Sequence, residues 1–253
     1  MYTRKIFILL LLLLQIVTFG LKAQNAELQS AAEAYSKGEY AKAAELYENV
    51  LKTSGESAVV YYNTGNCHYK MDKIASAILN YERALLLDPG NNDARFNLEI
   101  AKLRTVDRIE PVDKFFLSEW IESLQNIFGT NAWSRIGIVS FLLLIASLVL
   151  FFFSRKIILK KTGFYTGIIW LALIITANCF AYGQKQKLVE RNYAVVFAPT
   201  VTIKSSPDNS GNDLFVLHEG TKVLIKSQLG EWSEIRIEDG NIGWIKNSDI
   251  KVI

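Results

Sequence analysis

Gly38-Glu39-Tyr40-Ala41-Lys42-Ala43-Ala44-Glu45-Leu46-Tyr47-Glu48 returns as Asp72-Lys73-Ile74-Ala75-Ser76-Ala77-Ile78-Leu79-Asn80-Tyr81-Glu82. Tyr40 aligns with Ile74, Ala43 with Ala77 and Tyr47 with Tyr81, an offset of 34 residues each time. Apolar residues recur at helical spacing in both copies, so each predicts a helix with one buried face. A period of this length implies two helices per unit, stacked so that each unit covers the face its neighbour leaves open. Asp88-Pro89-Gly90-Asn91 stops the second copy and starts the next unit.

The second unit, Ala58 to Pro89, resembles the tetratricopeptide repeat family. Tyr61, Gly65, Tyr69, Ala77, Tyr81, Ala84 and Pro89 stand where that family wants large, small and helix-stopping residues. The first unit departs from it: Ala31 replaces the glycine, and Glu27 a large residue. The repeat domain is read as 24–108, with repeats at 24–57 and 58–91 and a capping helix at 92–108. The resemblance implies a concave face that binds an extended peptide or a partner helix. Tyr35, Tyr62, Asn66, Tyr69 and Lys70 would line it, and Asn63 and Asn66 could bond a peptide backbone. A purely structural role for the same residues stays open. The basic clamp that some members use for terminal carboxylates is unsupported, since Leu28 and Asp93 occupy its lysine positions.

Outside the repeats the composition segregates. The chain has 253 residues, 50% apolar and 21% charged, with a net charge of +3. High apolar content and scarce proline exclude wholesale disorder. A small charge spread along the chain leaves no nucleic-acid footprint. Residues 1–23 read as a signal peptide: Arg4-Lys5, then an apolar run, then Leu21-Lys22-Ala23 as the cutting site. An uncleaved signal anchor is the alternative, and either one exports the chain from residue 24 onwards.

Residues 134–154 and 163–183 read as transmembrane helices. The uncharged stretch from Ile136 to Phe153 alone spans about 27 Å at helical rise. Asn178, within the second span, is expected to bond the neighbouring helix. Between the spans, 155–162 reads as a short cytoplasmic loop carrying Arg155, Lys156, Lys160 and Lys161, because short basic loops stay in the cytoplasm. The two helices then form a hairpin with both flanks on the non-cytoplasmic side.

Residues 111–131 read as an amphipathic neck helix. Phe116, Trp120 and Leu124 fall on one face, and Glu119, Glu122 and Gln125 lie elsewhere. Three placements fit: at the membrane interface, against a membrane partner, or folded back on the repeats.

From residue 190 to 253 the period shortens to that of strands. Ala194-Val195-Val196, Val201-Thr202-Ile203, Lys222-Val223-Leu224-Ile225, Glu234-Ile235-Arg236-Ile237 and Ile242-Gly243-Trp244-Ile245 are five β-type runs. Asp239-Gly240 marks a hairpin. Five short strands in about 60 residues predict a small barrel. His218-Glu219-Gly220-Thr221, Gly230-Glu231-Trp232 and Gly243-Trp244-Ile245 resemble the bacterial SH3 family, which implies cell-wall binding, protein binding or service as a spacer. Trp232 and Trp244 are then either platform residues on its surface or core.

No catalytic constellation is found. The only histidines, His68 and His218, are far apart, and neither a zinc-ligand cluster nor a phosphate-binding glycine loop occurs. Cys67 and Cys179 form no disulfide framework, and Cys67 reads as core packing. No enzyme activity and no cofactor are expected.

The order of parts, with Phe115-Phe116-Leu117-Ser118-Glu119-Trp120 at the neck, resembles the BatE-like family of the Bacteroides aerotolerance group. The expected class is a multidomain membrane protein: α-helical tetratricopeptide repeats, two transmembrane helices and a C-terminal all-β SH3-like barrel. The resemblance implies a scaffold in the bacterial inner membrane with both other domains in the periplasm. Its implied partners are von Willebrand A-type membrane proteins and a MoxR-type ATPase, and its implied role is envelope maintenance or oxidative-stress tolerance. A peptidoglycan sensor or tether acting through the barrel is the alternative. A receptor signalling through the hairpin is a third reading, for which the short basic loop offers little surface.

Overall fold

The computed structural model describes residues 26–110, 112 and 115–253. The expected signal peptide, 1–23, lies outside the described residues. Two compact units are present: one gathers the chain up to Ala84 with Asn92–Ile109 and Tyr193–Ile253, the other Leu85–Asn91 with Glu110–Asn192.

In the first unit, α1 (26–36), α2 (Tyr40–Ser54), α3 (Ala58–Lys70), α4 (Ile74–Leu87, whose end from Leu85 falls to the other unit) and α5 (Asn92–Lys102) come in order. The sequence repeat is also a backbone repeat. Gly38 and Asp72, equivalent positions, both turn with positive φ, at 79° and 63°. The first turn uses the residue that tolerates this region freely. The second uses aspartate, one of the few side chains that adopt it at small cost. Ala31, Ala34, Ala43, Ala44, Tyr47, Val50, Val60 and Cys67 form one buried cluster. Burial pushes the Cys67 thiol up to about 11, so it stays protonated and packs as a small apolar group.

Seven strands complete this unit: β1 (Tyr193–Val196), β2 (Thr200–Lys204), β3 (Asp213–His218), β4 (Lys222–Leu229), β5 (Trp232–Arg236), β6 (Ile242–Lys246) and β7 (Ile250–Val252). They form one antiparallel sheet in the order β3-β2-β6-β5-β4-β1-β7. The expected barrel is therefore corrected to an open sheet of seven strands, because its edge strands β3 and β7 do not pair with each other. Groups at both edges bond elsewhere instead. The His218 N–H, at the end of β3, donates to Asp107, and the Val252 carbonyl accepts from Arg83. The Asp239-Gly240 turn does join β5 to β6, with Arg236 opposite Ile242 and Trp232 opposite Lys246. Ile203, Leu217, Val223, Ile235 and Ile245 are buried on the inner face.

The second unit holds α6 (Phe116–Gln125), α7 (Thr130–Phe153) and α8 (Ile157–Glu190). The neck helix is shorter than 111–131, because Gly129 breaks the chain and α7 has already begun at Thr130. The basic segment 155–162 is not a loop throughout. Only Ser154-Arg155-Lys156 turns, and Lys160 and Lys161 already sit on α8. Helix α8 ends at Glu190, where Arg191 takes a left-handed conformation.

Helices α7 and α8 pack through small residues. Gly163 lies against the Ser147 carbonyl, Gly137 against Asn178, and the Ser147 and Thr166 hydroxyls share a 3.0 Å hydrogen bond. Asn178 does not bond its neighbour as expected. Its amide donates to the Ile174 carbonyl of its own helix, 2.8 Å away. The apolar side chains face outward: only 17% of each helix's most apolar window is buried. Both helices are long and apolar enough to cross a membrane.

Gly65 on α3 faces the Tyr81 ring so closely that an added Cβ would lie 2.6 Å from it. Tyr81 is itself enclosed, at 1% exposure, so it has nowhere to retreat. Gly65→Ala is expected to destabilise the repeats by about 1–3 kcal/mol, read as a lowered melting temperature of the detergent-solubilised chain by circular dichroism.

Candidate functional site

The repeat helices leave a cleft of about 250 Å³, lined by Tyr35, Tyr62, Asn66, Tyr69, Lys70, Tyr81, Asn97 and Ile100. Five of the six residues expected on the concave face meet there. Asn63, the sixth, does not line it. Tyr35 comes from α1, Tyr62 to Lys70 from α3, Tyr81 from α4, and Asn97 and Ile100 from α5. A helix read only as a cap thus supplies one wall.

Asn66 organises the floor. Its carbonyl oxygen accepts from the Tyr81 hydroxyl and from the Asn97 amide, each at 2.8 Å. Asn97 also lies 3.4 Å from the Tyr62 hydroxyl. What Asn66 offers a ligand is therefore its amide N–H group rather than its carbonyl. Burial, with neighbouring phenols, raises the Tyr81 pKa well above the ordinary tyrosine value, and burial also raises Tyr35. These phenols remain neutral donors and ring surfaces. Lys70 is the one charged side chain in the lining. Arg104 lies over the Tyr69 ring, its guanidinium 5.6 Å from the ring centre, and pairs with Asp72 at 2.6 Å. The cleft is thus aromatic, amide-rich and weakly positive, suited to an extended backbone with apolar or acidic side chains.

Residues 58–91 match the tetratricopeptide repeat family. This match covers the second helical pair, which contributes Tyr62, Asn66, Tyr69, Lys70 and Tyr81 to the cleft. No curated protein matches the chain. Repeats of this family generally mediate protein–protein binding.

On the β domain, Trp232 and Trp244 are both half-buried and neither belongs to the core. Pairing puts Trp232 opposite Lys246 and Trp244 opposite Glu234, on the face away from Ile235 and Ile245. The Lys246 ammonium lies 5.5 Å from the Trp232 ring centre. In the second unit, Phe116, Trp120 and Leu124 are exposed along α6. Arg155, Lys156 and Lys161 are exposed at the α7–α8 turn, and Lys160 is half-buried.

The sequence reading missed a polar clasp between the repeats and the β domain. Asp107 lies beyond the end of α5. One of its oxygens lies 2.7 Å from His218 Nδ1, and the other accepts from the His218 N–H at 2.7 Å and the Thr221 hydroxyl at 2.6 Å. Glu82 on α4 meets Lys222 on β4 at 2.6 Å, with the Glu82 side chain only 8% exposed. Lys222 also sits 4.7 Å from the Tyr193 ring centre. Burial alone would depress the Lys222 pKa, but the Glu82 carboxylate outweighs it and holds Lys222 above its ordinary value. The Asp107–His218 pair is separated by 111 residues, so no local pattern announces it.

Removing Lys222 strands a buried carboxylate. Lys222→Met is expected to cost on the order of 3 kcal/mol, while Glu82→Gln with Lys222→Met should cost much less than the two single changes together. Denaturant titration of the four-member cycle measures this.

Asp107 gives a pH signature. Burial raises its pKa, but the Thr221 hydroxyl and the His218 N–H and ring outweigh that and lower it. A depressed native value means full stabilisation above the unfolded value of about 3.9, lost as pH falls through the native pKa. Stability measured across that acid range should fall less steeply in Asp107→Asn than in the parent.

Proposed function

We propose that this chain is a non-enzymatic, membrane-anchored scaffold that holds a segment of a partner protein in the cleft between Tyr35 and Lys70. The observation that carries this reading is the convergence of Tyr35, Tyr62, Asn66, Tyr69 and Lys70 on one cleft in a repeat fold that generally binds proteins. Anchoring is assigned to α7 and α8. The clasp supports a hairpin topology: Asp107 and Glu82 precede both apolar helices, while His218 and Lys222 come after them. Residues in contact lie on one side of a bilayer, and an even number of crossings between them satisfies this. The Arg155–Lys161 turn takes the cytoplasmic side by the positive-inside rule, which puts the repeats and β domain in the periplasm of a bacterial inner membrane.

The BatE-like resemblance of the whole order of parts adds the finer reading. The scaffold serves an envelope-maintenance or oxidative-stress assembly, with von Willebrand A-type membrane proteins and a MoxR-type ATPase as associates. On the same reading the β domain is a bacterial SH3-like module. A second reading, a peptidoglycan tether, draws on Trp232 and Trp244, which share the sheet's outward face beside Lys246. Flat rings next to a cation suit sugar and peptide surfaces.

Photocrosslinking from Tyr62 in native membranes is expected to yield a discrete protein adduct that disappears on Tyr69→Ala. In pull-downs with the tagged full chain, the double change Tyr62→Ala, Tyr69→Ala should abolish capture of that protein while leaving the circular dichroism spectrum intact. Undiminished capture by that variant rejects the cleft, and sedimentation with purified cell wall that depends on Trp232 favours the tether.

A further inference from the structure

We propose that α6 is an in-plane membrane-surface helix, with its Phe116–Trp120–Leu124 edge seated at the headgroup–acyl boundary of a lipid bilayer. This rests on reading α7 and α8 as spans, and it deepens that reading by adding a lipid contact outside them.

The sequence sorts α6 cleanly. At 3.6 residues per turn, Phe116, Leu117, Trp120, Ile121 and Leu124 gather on one side, and Ser118, Glu119, Glu122 and Gln125 on the other. In a water-soluble packing arrangement the apolar side would be inside. In this unit no residue of α6 is buried, and Phe116 and Trp120 are 72% and 69% exposed.

The polar side is the one turned to the protein. The Gln125 amide donates to the Phe180 carbonyl at 3.3 Å, the Gln184 amide donates to the Gln125 carbonyl at 3.0 Å and to Asn126 at 2.9 Å, and Glu122 lies 3.7 Å from Lys187. Through Glu122 and Gln125 the polar side of α6 meets α8, and the apolar edge stays exposed.

The same contacts fix the level of its C-terminal end. The Trp133 indole N–H donates to the Gln125 carbonyl at 2.9 Å, and its ring packs edge-on against Phe128 and Phe180. This aromatic cluster closes the hairpin where the start of α7 meets the far part of α8, at the level where tryptophan belts mark the membrane boundary. With its Gln125 end held at that level, α6 offers its exposed apolar edge to lipid on this proposal. Exposed Arg135 and Lys185 at the same end suit headgroup phosphates, offsetting the acidity of α6 itself.

The test uses the full chain with Cys67→Ala and Cys179→Ala. Single cysteines at Trp120, Ser118 and Leu142 carry a small fluorophore. The protein is reconstituted in phosphatidylethanolamine–phosphatidylglycerol vesicles containing lipids brominated either near the headgroup or deep in the chain. The expected result is loss of most emission at position 120 with the shallow quencher, little loss at 118, and loss at 142 with the deep quencher. If 142 is quenched but 120 responds only to aqueous iodide, α6 stands in water and the proposal is overturned. If 120 is shielded from both lipid and iodide, a protein covers it and the lipid assignment fails. If 142 escapes the deep quencher, the spanning reading fails and takes this one with it.

Discussion

The clasp around Asp107 is the constraint on which the architecture turns. It joins a carboxylate placed before the apolar helices to a histidine and a threonine placed after them. Helices α7 and α8, between these two positions in the chain, form an antiparallel pair through their own small-residue contacts. Glu82 and Lys222 reinforce it with an ion pair that neither domain would tolerate half-made, since an isolated buried carboxylate is far costlier than a paired one. The repeat helices and the β domain therefore form a single unit.

This arrangement explains features that look odd within either domain alone. Helix α4 is buried from Ala77 to Glu82 without a break, although a helix of a repeat stack keeps one polar face in water. The β domain supplies the missing cover: Gly220 approaches so closely that a side chain there would strike Thr105 and Ile78. Gly220 also has φ of 90°, so glycine answers both the turn and the contact. Groups at the β3 and β7 edges of the sheet also bond the repeat domain. Ile109, leaving the repeats, packs against the β core and extends the seam.

The two units use polarity in opposite ways. The first keeps apolar side chains inside and joins its parts with charge. The second turns leucine, isoleucine and phenylalanine outward from α7 and α8 and keeps Gly137, Ser140, Ser147, Gly163 and Gly167 at the contact. Close approach of two helices by small residues is a packing solution for a setting where outward apolar surface carries no cost.

The helical pairs, the apolar hairpin and the strand-rich end were legible from residue order alone, because each depends on short-range periodicity or on length and charge. Five cleft residues were legible too, through the resemblance of the repeat to the tetratricopeptide family, which implies the side chains of a concave face. Asn97 and Ile100 were not, because their helix lacks the second partner that would mark it as a wall. Nor were the clasp, the open sheet and the orientation of α6. Asp107 and His218 carry no pattern linking them, strand runs do not reveal whether edge strands close on each other, and an amphipathic helix does not say which face meets protein. Those outcomes depend on contacts between distant segments, so only the tertiary structure decided them.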